Sequence, residues 1–166
     1  MAAANTYVSI ATQTLGSAAA SVTFSSIPST YTDLVLVTNA ILASGGAANL
    51  LCQYNGDTAA NYSTTYLAGN GTAASSSRDT SNTVGWLGRL SSSNWTSSIS
   101  NIMNYTNTTT YKTSVSRGND TSGLVIAYVS LWKATPAAIS SIVLTNSSAV
   151  NFSVGSTFSL YGILAA

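Results

Sequence analysis

Short runs in which hydrophobic and polar residues alternate fill this chain from end to end. Turn-forming residues separate them, and no 11-residue window carries a convincing helical period. Residues 7–10 open the series. Residues 21–24 place Val22 and Phe24 on one face, and Pro28 ends that run. The apolar stretch 33–42 reads as a central strand covered on both faces, broken by Ser44-Gly45-Gly46. In 49–54, Leu50, Cys52 and Tyr54 point one way. Asn55-Gly56 then marks a tight turn, because both residues tolerate a positive φ. A strand follows over 62–67. Residues 68–82 hold no large apolar side chain and predict an exposed loop or extended arm. Strands resume at 83–90, at 95–105 with Trp95, Ile99, Met103 and Tyr105 on one face, and at 111–117. The strongest segment is 123–132. There Val125, Ala127, Val129 and Leu131 form one apolar face and Leu124, Ile126, Tyr128 and Trp132 another, so burial on both sides is expected. Runs at 139–145 and 157–164 close the chain.

About ten short strands without a helix predict an all-β fold, a single-domain antiparallel β-sandwich with a jelly roll as the leading arrangement. An immunoglobulin-like sandwich or a small barrel comes second. Residues 1–6 read as a short N-terminal arm and 7–166 as the sandwich domain, with its exposed loop at 68–82.

Composition sharpens this picture. The 166 residues include no glutamate and no histidine, and charged residues make up 5% against about 25% in an ordinary domain. Serine and threonine supply roughly three residues in ten. The acids are Asp33, Asp57, Asp79 and Asp120; the bases are Arg78, Arg89, Lys112, Arg117 and Lys133. Such a surface is hydroxyl and amide, with little charge to keep copies apart. Net charge is +1, without the basic patch of a nucleic-acid binder. No stretch approaches the roughly 20 apolar residues of a membrane-spanning helix, and the start lacks the basic and apolar regions of a signal peptide.

Chemistry has few footholds. A serine or cysteine nucleophile lacks a histidine base, and Cys52 sits in an apolar run as a small core residue. The aspartates lie mostly beside Gly, Asn, Ser and Thr and are expected as turn formers rather than a glycosidase pair. A calcium site on Asp57 has no EF-hand spacing behind it, and Gly69-Asn70-Gly71 lacks the rest of a phosphate loop. No catalytic, cofactor-binding or metal residue is therefore assigned. Tyr31, Tyr54, Tyr62, Tyr66, Trp86 and Trp95 fit core and subunit interface better than a sugar-stacking surface.

Three stretches carry a resemblance: Ile27-Pro-Ser-Thr-Tyr-Thr-Asp-Leu-Val-Leu-Val37, Tyr54-Asn-Gly-Asp-Thr-Ala-Ala-Asn-Tyr62 and Gly155-Ser-Thr-Phe-Ser-Leu-Tyr-Gly-Ile163. With them the chain, from about residue 6 to 163, resembles small structural proteins of tailed phages, above all capsid cement (decoration) proteins of cyanophages. The resemblance implies a jelly-roll protomer, a homotrimer, seated on the outer face of the virion. It would bridge major capsid subunits without enzymatic activity, cofactor, nucleic acid or membrane. The alternative is a receptor-binding or tail-fibre head domain recognising host surface glycan.

Overall fold

A computed structural model of the chain describes residues 6–120 and 123–164. It is an antiparallel β-sandwich of twelve strands: β1 (Tyr7–Thr14), β2 (Val22–Phe24), β3 (Asp33–Ala40), β4 (Ala48–Tyr54), β5 (Tyr62–Gly69), β6 (Ala74–Asn82), β7 (Gly85–Leu90), β8 (Thr96–Met103), β9 (Lys112–Asn119), β10 (Val125–Trp132), β11 (Ile142–Asn146) and β12 (Thr157–Ile163). Eight strands form one sheet in the order β1-β12-β3-β8-β9-β10-β5-β6, and four form the other in the order β2-β11-β4-β7. The split is thus eight to four, not the two equal sheets of a plain jelly roll. The described residues contain no helix, so none crosses a membrane. The expected N-terminal arm falls almost wholly outside the described residues.

All strands but β6 form where the pattern places them, because branched and aromatic side chains suit a pleated, half-buried surface. The main core lies between the sheets. Leu34, Leu36, Ile102, Phe158 and Leu160 from the large sheet meet Val22, Phe24, Leu50, Leu87, Ile142 and Leu144 from the small one. Asn55 and Gly56 take φ of 53° and 69°, and Asp57 N–H donates to Tyr54 O at 2.9 Å, which closes the anticipated turn. The turn does not join paired strands. It carries the chain from the small sheet (β4) into the large one (β5).

Three expectations need correction. First, residues 74–82 are not a loop. They form β6, antiparallel to β5 along its whole length, with every side chain exposed or half-buried. An edge strand needs only backbone pairing on one side, so apolar side chains are not required to hold it. Its serines and Arg78 also discourage a further strand from adding on.

Second, residues 123–132 are buried on one face only, and 33–42 likewise leaves Val37 and Asn39 exposed on its outer face. Ile126, Tyr128 and Trp132 point inward, while Val125, Ala127 and Val129 are exposed. Third, Tyr105 does not share a face with Trp95, Ile99 and Met103. In β8 the inward residues are Thr96, Ser98, Ser100 and Ile102, whereas Trp95 and Met103 are exposed and Tyr105 enters the core beyond the strand end.

The physical reason is a close approach of the sheets. β7 crosses the interior of β8, β9 and β10 with glycine at Gly85 and Gly88. A methyl at Gly88 would stand 2.6 Å from Ser98 Oγ and 2.9 Å from Ser98 Cβ. No large side chain fits there, so Ser98, Ser100, Ser114, Ser116 and Ser130 occupy the inside and the valines go outside. Two of these hydroxyls, those of Ser100 and Ser130, also bind the sheets together. Ser130 Oγ accepts from Trp86 N and donates to Trp86 O, and Ser100 Oγ donates to Leu87 O at 3.0 Å. Backbone groups on β7, an edge strand of the small sheet, thereby find partners in the opposite sheet.

Candidate functional site

Two surface features stand out. The first is the outer face of the large sheet. Register places Val37 opposite Ile99, Ile99 opposite Arg117, Arg117 opposite Ala127 and Ala127 opposite Leu67. One row away, Val115 faces Val129, which faces Thr65. Leu67 is 65% exposed, Val125 62% and Val129 48%, so the apolar row reaches solvent unshielded. A broad concavity of about 970 Å³ lies over this region, lined by Val37, Leu67, Ile99, Arg117, Val125 and Ala127 among others. Arg117 and Arg78, which pairs with Thr65, both project from the same face. The acid of this face, Asp33, lies at its far end, where it accepts from Asn104 N. Contiguous exposed apolar area of this kind marks an interaction surface.

The second feature is a smaller pocket of about 230 Å³ on the inner side of β5 and β10, where the sheets part. Two cross-strand pairs build it: Tyr66 with Tyr128 in the large sheet, and Asn49 with Arg89 in the small one. The Trp86 ring lies 6.1 Å from that of Tyr66 at 27°, and Tyr128 stands edge-on to Trp86 at 78°. Arg89 Nε donates to Asp120 at 3.3 Å and Nη1 to Asn49 Oδ1 at 3.1 Å, while Tyr128 Oη donates to the same Oδ1 at 3.0 Å. Burial pushes the Tyr128 phenol up to about 12, against the pull of Arg89 in the other direction.

The aromatic residues singled out in the sequence part company here. Tyr54 and Tyr62 are core, with Tyr62 Oη accepting from Tyr54 N at 2.9 Å. Tyr31 is half-buried over Gly162, and Trp95 is exposed beside Gly155. Tyr66 and Trp86 alone of the six line the pocket. Tyr128, Asn49 and Arg89 were not anticipated there. Their one sequence signal was alternation in 123–132, which sets Tyr128 on the face of Ile126.

The aspartates stand apart. Asp57 caps its own turn: Oδ1 accepts from Ala59 N at 2.9 Å, and Oδ2 from Asn61 Nδ2 at 2.9 Å and Trp132 Nε1 at 2.6 Å. Burial alone would raise its carboxyl, but the hydrogen bonds from Trp132, Asn61 and Ala59 outweigh that and hold it below the ordinary value. Asp79 accepts from Asn82 and Asp120 pairs with Arg89. Cys52 is fully buried between the sheets, and desolvation pushes its thiol up to about 12. Lys112 is buried too. Its ammonium donates to Asn107 O and Thr110 O, tying down the loop before β9, and desolvation lowers its pKa. Comparison of the chain with protein-family models, with curated proteins and with solved structures finds no match.

Proposed function

We propose that this chain is a non-enzymatic virion structural protein, a capsid cement protein that docks on major capsid subunits as a homotrimer. The outward apolar face of the large sheet is the observation that carries the reading. A face with Leu67, Val125 and Val129 in solvent is the kind that marks contact with another molecule. Its charge favours a different protein as the cover over a second copy of itself. Arg78 and Arg117 stand on it, so stacking two such faces would set arginine near arginine, whereas a capsid subunit can offer carboxylates. The rest of the surface is hydroxyl and amide, which lose little on desolvation compared with ions.

What supports a jelly-roll reading is the order of the strands. The small sheet runs β2-β11-β4-β7, and the large one runs β3 to β5-β6 with the meander β8-β9-β10 between. The orders β1-β12-β3-β8 and β2-β11-β4-β7 are those expected of two interleaved Greek keys, with β9, β10, β5 and β6 extending the large sheet. The runner-up, a glycan-recognising fibre head, is favoured only by the aromatic pocket.

The test is sedimentation of purified protein with capsids assembled from the major capsid protein of the same virus. The wild-type chain is expected to co-sediment and to stay bound near molar salt, where screening shortens to about 3 Å. The double substitution Leu67→Glu and Val129→Glu should weaken attachment by about 100-fold or more while leaving thermal stability within the roughly ±0.5 kcal/mol of surface changes. Release of the wild-type chain by moderate salt, or full binding by the double variant, would contradict the proposal. Light scattering of the free protein checks the trimer.

A further inference from the structure

The aromatic pocket points to a ligand of its own. We propose that it binds a single neutral sugar ring. The inference goes beyond the assembly reading and does not depend on it: Tyr66 and Tyr128 lie on the inner side of β5 and β10, while Leu67 and Ala127 lie on the docking side. Ala68, Ser75 and Ile126 border both concavities, so sugar binding is measured on the free chain.

Three observations converge. The wall is aromatic: Tyr66 and Trp86 lie nearly parallel and both are half-buried, offering the flat apolar surface on which the C–H face of a pyranose stacks. The rim is rich in unused donors. Asn49 Nδ2, Arg89 Nη2 and Trp86 Nε1 have no hydrogen-bond partner among the described residues, although Asn49 Oδ1 is doubly occupied and Arg89 Nε and Nη1 are spent. Charge is nearly cancelled, because Asp120 sits 3.3 Å from Arg89. An anion would gain little there, whereas a polyol, with oxygens that accept and hydroxyls that donate, uses every group. At about 230 Å³ the pocket is smaller than the roughly 300–1,000 Å³ of sites for drug-sized ligands, and suits one terminal ring, not a chain.

The experiment follows the tryptophan indole N–H resonances while the full chain is titrated separately with methyl glucoside, methyl galactoside, methyl mannoside and N-acetylglucosamine. Adenosine and acetate serve as an aromatic and an anionic control. At least one sugar is expected to shift the Trp86 signal saturably and to leave Trp95 still. Asn49→Ala should weaken that sugar about tenfold, and Ser75→Trp, an exposed rim position on β6, should block it without touching the core. Trp86→Ala, checked for folding by its β-sheet spectrum, should abolish binding. No saturable shift with any of the four sugars would overturn the proposal. So would shifts that persist in Ser75→Trp, or stronger binding of adenosine or acetate. Loss of capsid attachment with sugar binding intact would sink the assembly reading and spare this one.

Discussion

Alanine at Gly88 should cost the sandwich about 2–3 kcal/mol, in the range of an overpacked core. Its new methyl would lie 2.6 Å from Ser98 Oγ and 2.9 Å from Ser98 Cβ; the unbonded hydroxyl can swing to another rotamer, but Cβ cannot retreat, because Ser98 belongs to the middle of a paired strand. For a chain of this size that loss lowers the melting temperature by roughly 5–10 °C. The clash also predicts a graded rescue. Ser98→Ala in the Gly88→Ala background removes the nearer contact only and should recover part of the stability. Ser98→Gly removes both and should recover most, less the roughly 0.5–1 kcal/mol that glycine costs in a strand. Denaturant unfolding of the four proteins measures the series. A Gly88→Ala midpoint equal to that of the wild type, or a rescue by neither partner, would mean the sheets do not meet this closely.

Alkali should unfold the protein more sharply than acid. Burial raises the phenols of Tyr54, Tyr62, Tyr105 and Tyr128 and the thiol of Cys52. A group whose folded pKa lies above its unfolded one contributes stability that is complete below the unfolded value and is lost as pH rises through the folded one. Each such group removes about 1.4 kcal/mol per pH unit in that window. The four raised furthest, Tyr54, Tyr62, Tyr128 and Cys52, together exhaust most of a stability of about 5–15 kcal/mol within about two units above pH 10. Lys112 works in the other direction, since its lowered pKa lets the folded state gain as pH climbs toward 10.5, but it is one group against five.

On the acid side the stabilising hydrogen bonds to Asp57 are lost only as pH falls through its depressed pKa. With no glutamate or histidine, no side-chain type in the chain has an ordinary pKa between about 4 and 8.5, so stability should be flat across that span. Tyrosinate absorbance and the β-sheet dichroism signal, followed together, check this. A fold that survives past pH 12 while its tyrosines ionise one by one would refute it.

Much of the architecture was legible in the sequence. Alternation located all but one of the strands, and Asn55-Gly56 announced its turn. The misreadings of which face is buried share a cause, which is that a side chain's size shows in the sequence but the gap it must fit does not. Val125, Ala127 and Val129 read as core because valine is usually buried. Here glycine in β7 leaves room for serine alone on the inside, and the larger residues are displaced outward. Residues 74–82 read as a loop because a strand that relies on its neighbour's backbone has no need of apolar side chains. The pocket was beyond reach for a different reason. Asn49 meets Arg89 through register across 40 positions, and Tyr66 meets Tyr128 across 62, pairings that no local pattern encodes.

The displaced valines leave the molecule with a preferred way up. At an air–water or oil–water boundary it behaves as an amphiphile, laying Leu67, Val115, Val125 and Val129 toward the apolar phase and the four-stranded sheet toward water. Isolated particles spread on a grid would then cluster in one view, and a monolayer of them would form a film of uniform polarity.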